Sequence, residues 1–112
     1  RIVRDYKHRG VPAEITLGMW GSVCRGEDLF IQPFKRSSHI TINSIHMYEP
    51  CVLKKYAEPL LMQIPPQNEQ YELVQRLIKG LGRFEPIEEN LIPNTSLIRE
   101  FIGGGVYTGS VL

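Results

Sequence analysis

Apolar and polar positions along this chain follow several registers, and each register changes at a glycine or a proline. The clearest is helical. From Glu69 to about Leu81, the residues Tyr71, Val74, Leu77, Ile78 and Leu81 recur at three- and four-residue steps, which is one stripe of an α-helix. Asn68 stands where an N-cap belongs, and Glu72 precedes Arg76 by one turn. Val52, Leu53, Tyr56 and Ala57 predict a second amphipathic helix. Pro59 should end or kink it, because proline has no N–H and its ring crowds the preceding turn. Asn94-Thr95-Ser96 offers cap chemistry for a short helix through Ile102, which Gly103-Gly104-Gly105 then terminates. At the front, Arg1 to Tyr6 or beyond has helical spacing, with Arg1, Arg4, Asp5 and His8 on one face and Gly10 as C-terminal cap.

Two stretches differ. "VPAEITLGMWGSVCRGEDLFIQP" carries a helical stripe through Ile15, Met19, Val23 and Phe30, and Pro12 suits a first helical position. Gly18, Gly21 and Gly26 weaken that reading by up to about 1 kcal/mol each relative to alanine, so two short strands compete with a helix that ends before Pro33. "KRSS" reads as a turn. "HITINS" then alternates with period two, Ile40 and Ile42 opposite to His39, Thr41 and Asn43, and is the best strand signal in the chain. The tail "VYTGSVL" reads as a short strand or a frayed end.

Composition narrows the classes. The 112 residues are 42% apolar, enough for a core, and thirteen basic against twelve acidic residues leave a net charge of +1. Nucleic acids and membrane surfaces attract a basic excess that is missing, so neither is an expected partner. Nor does any apolar run approach membrane-spanning length. Cys24 and Cys51 lack metal or redox spacing and read as buried free thiols in a reducing cytoplasm, the expected location.

Several motifs are decoys. Gly104 and Gly109 have phosphate-loop spacing, but Ser110 stands where a lysine should reach the phosphates, and the glycines follow a helix C-terminus that repels anions. His8, His39 and His46 have no ligand spacing for a metal. Glu88-Glu89 reads as a solvated loop pair and Trp20 as a core anchor. The arginines of "RIVRDYKHRG" are more informative. Guanidinium groups one turn apart can converge on a phosphate through paired, charge-assisted hydrogen bonds. The bland alternative is a solvated helix in which Arg1 and Arg4 pair with Asp5 or with distant acids. An opening this rich in charge, with no initiator methionine, reads as the middle of a helix taken from a longer protein.

"RIVRDYKHRG", with the later "PFKRSSHITINS", resembles the lid and last core strand of uridine kinases, in the phosphoribulokinase and uridine kinase group of P-loop kinases. Arg1, Ile2, Arg4, Asp5, Arg9 and Gly10 carry the match. "GMWGSVCRGEDLFIQPF", "EPCVLKKYAEPLL" and "SLIREFIGGG" are similar to the C-terminal portion of a bacterial subgroup with a threonyl-tRNA-synthetase-like region ahead of the kinase. The likeness runs from Arg1 to about Gly105 and favours the helical reading of the ambiguous stretch.

The resemblance implies the C-terminal part of an α/β P-loop nucleoside kinase, itself mainly α with one or few strands. Residues 1–43 would be lid helices and the last core strand, and residues 44–112 a helical extension. Arg1, Arg4 and Arg9 would bind ATP phosphates from the lid. ATP, magnesium and a nucleoside such as uridine would be ligands of the parent protein, with homo-oligomer formation a further partner class. The γ-phosphate would pass to a 5'-hydroxyl in the parent. Catalytic residues and the P-loop would lie upstream of Arg1, leaving these residues alone inactive. At Val11-Pro12 the chain departs from the Arg-Asp common in the family. The alternative from another class is a non-catalytic helical interaction or regulatory module of kinase ancestry.

Overall fold

A computed structural model describes residues 1–107. Helix α1 (Ile2–Arg9) stops at Gly10, whose φ of 63° lies in the left-handed region where a side chain would be strained. The Gly10 and Val11 N–H groups both bond to the Asp5 carbonyl, so the chain reverses in a tight corner. Pro12, extended, then sets off helix α2 (Ala13–Gly18).

The expected single helix across the glycine-rich stretch is two. After Gly18 the chain bends at Met19 (φ −87°, ψ −7°), and helix α3 (Trp20–Phe30) follows at once. A 3₁₀ helix over Gln32–Ser37 includes Pro33 and most of the expected turn. Helix α3 buries no residue, and Trp20, read from the sequence as a core anchor, is 45% exposed.

Helix α4 (Glu49–Met62) starts with Pro50 in its first turn and does not end at Pro59 but continues for three more residues. Pro59 lies on the exposed side, where water can satisfy the carbonyl it leaves unbonded. Helix α5 (Tyr71–Leu81) begins two residues later than the pattern predicts. Asn68 still organises its start, through a side-chain oxygen that accepts the Gln70 N–H at 2.8 Å. A second 3₁₀ turn covers Glu89–Leu91, and the short helix α6 (Arg99–Ile102) closes against Gly103 and Gly104, both at positive φ.

No strand forms among the described residues, which corrects the expected strand around Ile40–Ile42. The period-two pattern is real, but a strand exists only by pairing, and none of the described residues pairs with it. Ile40 and Ile42 remain 79% and 82% exposed. The molecule is therefore mainly helical.

Two apolar clusters hold it together. In one, Ala13 and Leu17 of α2 pack with Leu61 and Ile64, at the end of α4, and with Val74 of α5; Ile2 of α1 and Leu77 join from the side. In the other, Val52 of α4 meets Ile92, Ile98 and Ile102. Helix α4 serves both clusters, and the first spans elements on either side of residue 43. Arg99 ties the second cluster's loops. Its Nη2 donates to the Glu89 and Ile92 carbonyls at 2.7 and 2.8 Å, and its Nη1 to the Gly103 carbonyl at 3.3 Å.

Candidate functional site

The corner at Gly10 swings α2 back over α1, and this brings Thr16 to Asp5. The Thr16 hydroxyl donates to Asp5 Oδ2 at 3.1 Å. From the other side, Arg4 Nε and Nη2 both donate to Oδ1, at 3.0 and 2.8 Å. Arg1 Nε and Arg9 Nη1 stand farther off, each 3.7 Å from a carboxylate oxygen. Asp5 is buried, a placement that a carboxylate tolerates when it is paired and hydrogen-bonded. Burial alone would raise its carboxyl pKa. The hydrogen bonds from Arg4 and Thr16 and the charges of Arg4 and Arg1 outweigh that and hold it below the ordinary value.

The three arginines singled out from the sequence thus come together, but they are not equivalent. Arg4 is the most enclosed and is committed to Asp5 through two bonds. Arg1 and Arg9 are more exposed, with side chains 38% and 57% accessible, and they line a cavity of about 100 Å³ with Asp5, Val11, Thr16 and Met19. Three guanidinium groups stand within 4 Å of one carboxylate, so positive charge predominates around Asp5, with Glu49 acting from farther off on the Arg1 end. That arrangement can receive an anion in the cavity while Arg4 keeps the carboxylate covered. His8, expected on the same face, is exposed and takes no part.

A second polar cluster had no signal in the sequence. Glu89 Oε1 accepts hydrogen bonds from the Tyr56 hydroxyl and from Lys55 Nζ, the latter at 2.8 Å. Lys7 and Lys55 sit over the Tyr56 ring, 4.1 and 5.2 Å from its centre. Lys55, then Tyr56, hold the Glu89 carboxyl below its usual range, while burial and the bond to Glu89 push the Tyr56 phenol up. Glu89 is therefore not the free loop charge expected, and its partners lie more than thirty residues away. The Glu72–Arg76 pair is absent among the described residues' ion pairs.

Gly104, at φ 72°, is a turn residue beside Arg99, as a glycine cap requires; Gly109 and Ser110 lie outside the described residues. Cys24 and Cys51 are free and half-buried. Among the described residues no three His, Cys, Asp or Glu side chains gather as a metal site, and no helix is long and apolar enough to cross a membrane. Compared with family models, with curated proteins and with solved structures, the chain finds no match.

Proposed function

We propose that these residues are the C-terminal region of an ATP-dependent nucleoside kinase similar to uridine kinases, and that Arg1 and Arg9 contact the nucleotide's phosphates while Arg4 holds the site together. The observation that carries this is the pair of guanidinium groups, Arg1 and Arg9, at a cavity backed by a buried carboxylate that Arg4 and Thr16 already hold. Phosphoryl transfer depends on positioning and on neutralising charge on the moving group, and guanidinium groups supply both. Magnesium, the P-loop and the group that activates the 5'-hydroxyl would come from elsewhere in the parent, since the 112 residues contain no glycine loop ending in Lys-Ser or Lys-Thr.

The test is a titration of the 112-residue chain with inorganic triphosphate and with ATP, followed by NMR. The expected shifts centre on Arg1, Arg9, Thr16 and Met19, and Arg9→Glu should weaken binding about tenfold, as loss of one charge-assisted contact does. The same chain should show no ATP-dependent phosphorylation of uridine. Shifts scattered over the surface, or none at all, would remove the phosphate role.

A second reading, a helical interaction module, is favoured by one different observation. Leu29, Phe30, Ile31, Phe34, Ile40, Ile42, Ile45 and Met47 are all more than half exposed within one stretch. Uridine phosphorylation by the parent protein separates the two: turnover supports the kinase, and its absence the module.

A further inference from the structure

We propose that Thr16 is a positioning residue of the arginine cluster: by holding Asp5 Oδ2, its hydroxyl keeps Arg1 from closing onto the carboxylate and leaves that guanidinium for a phosphate in the cavity. The phosphate half of this rests on the kinase reading, whereas the spacing of Arg1 from Asp5 does not.

The two carboxylate oxygens of Asp5 are held alike. Oδ1 accepts both bonds from Arg4, at 3.0 and 2.8 Å, and has Arg9 Nη1 at 3.7 Å. Oδ2 accepts the Thr16 hydroxyl at 3.1 Å and has Arg1 Nε at 3.7 Å. Each oxygen therefore has one bonded partner and one arginine standing off. At 3.7 Å a guanidinium feels the charge but lies beyond hydrogen-bonding range, which ends near ~3.2 Å. The two arginines that stand off are the two that line the cavity.

Thr16 has a local alternative that it does not take. Threonine in a helix commonly turns its hydroxyl back to the carbonyl four residues earlier. That carbonyl belongs to Pro12, which accepts the Ile15 and Thr16 N–H groups at 3.1 and 3.3 Å. A hydroxyl has a single hydrogen, and Thr16 gives it to Asp5, eleven residues away. The residue is buried on α2, whose Ala13 and Leu17 belong to the first cluster, so packing fixes where the hydroxyl points.

A neutral donor has a particular effect here. It satisfies Oδ2 without adding a cation. Without it, a buried charged oxygen lacks a donor, which is a costly state. Arg1 Nε is then the replacement at hand, since it needs to move only ~1 Å to form a charge-assisted bond. A guanidinium drawn onto Asp5 is lost to the cavity.

Thr16→Val keeps the branched shape and removes the donor. In the 112-residue chain without added anion, NMR should show the Arg1 Nε–H exchanging rapidly with water in the wild type and in Thr16→Ser, and markedly more slowly in Thr16→Val. Inorganic triphosphate should bind Thr16→Val about tenfold more weakly, the loss of one charge-assisted contact, and Thr16→Ser almost as tightly as the wild type. A Thr16 that only supports the fold would lower stability in Thr16→Val and leave Arg1 exchange as it was, and that result would overturn the proposal. Slow exchange at Arg1 already in the wild type would overturn it without any variant, and so would undiminished triphosphate binding by Thr16→Val. Absence of triphosphate binding in every chain removes the kinase reading and the phosphate half with it, while Arg1 exchange still decides whether Thr16 holds that arginine off.

Discussion

At the scale of single residues, Asp5 has the most interactions to lose. It is a buried carboxylate whose neighbours are two elements and three cations. Its folded-state pKa is depressed, so the stability it contributes is present above the ordinary carboxylate value and is lost as pH falls through the lower, folded-state value. Asp5→Asn keeps the shape and removes the charge. It should cost on the order of 1–3 kcal/mol at pH 7 and flatten the acid limb of the stability profile, measured by urea unfolding between neutral and acid pH. A wild-type acid limb retained in the variant would show that another group carries the pH dependence. The sequence located this cluster, since Arg1, Arg4 and Asp5 fall on one helix face. It could not rank the arginines, because the ranking depends on Thr16 and on the Gly10 corner that delivers it.

At the scale of elements, patterns internal to one segment were legible and those needing a neighbour were not. Helix α5 follows its stripe because Val74 and Leu77 face the core that the stripe implies. Gly10 caps α1 as a glycine there should. "HITINS" has an equally clear pattern, but pairing is a property of two segments, and the described residues supply one. Pro59 misleads in another way: the rule that proline ends a helix yields where the proline faces water and packing of Leu60 and Leu61 holds the final turn in place. The same fact makes it a stabilisation site. Pro59→Ala restores a backbone donor in an exposed helical position, and the melting temperature should rise, by an amount corresponding to about 1–3 kcal/mol. An unchanged or lower melting temperature would mean that the proline's limit on the unfolded chain outweighs the lost bond.

For the molecule as a whole, the sharing of α4 between two clusters decides how it unfolds. Leu61 anchors one cluster and Val52 the other, both almost wholly buried and less than three turns apart on one helix. Loss of that helix would strip a fully buried residue from each cluster. Leu61→Ala and Ile98→Ala should each cost about 2–5 kcal/mol, and each should move one common transition. Helicity and near-ultraviolet signals followed in parallel would reveal it; separated midpoints would establish two independent units. Helix α3 and residues 31–47 sit outside both clusters and add surface instead of core.

The grip of Arg99 has its own implication for how this protein tolerates change. Its acceptors are main-chain oxygens, which every amino acid possesses, so the clasp itself imposes little on the side chains of Glu89 and Ile92, while Gly103 is held to glycine by its φ of 90°. Fragility is concentrated instead in one guanidinium. Mutational drift across the loops can leave the knot tied, whereas a single lesion at position 99 slips all of its strands together, and a lysine, with its point charge in place of a planar fork, makes a poor substitute.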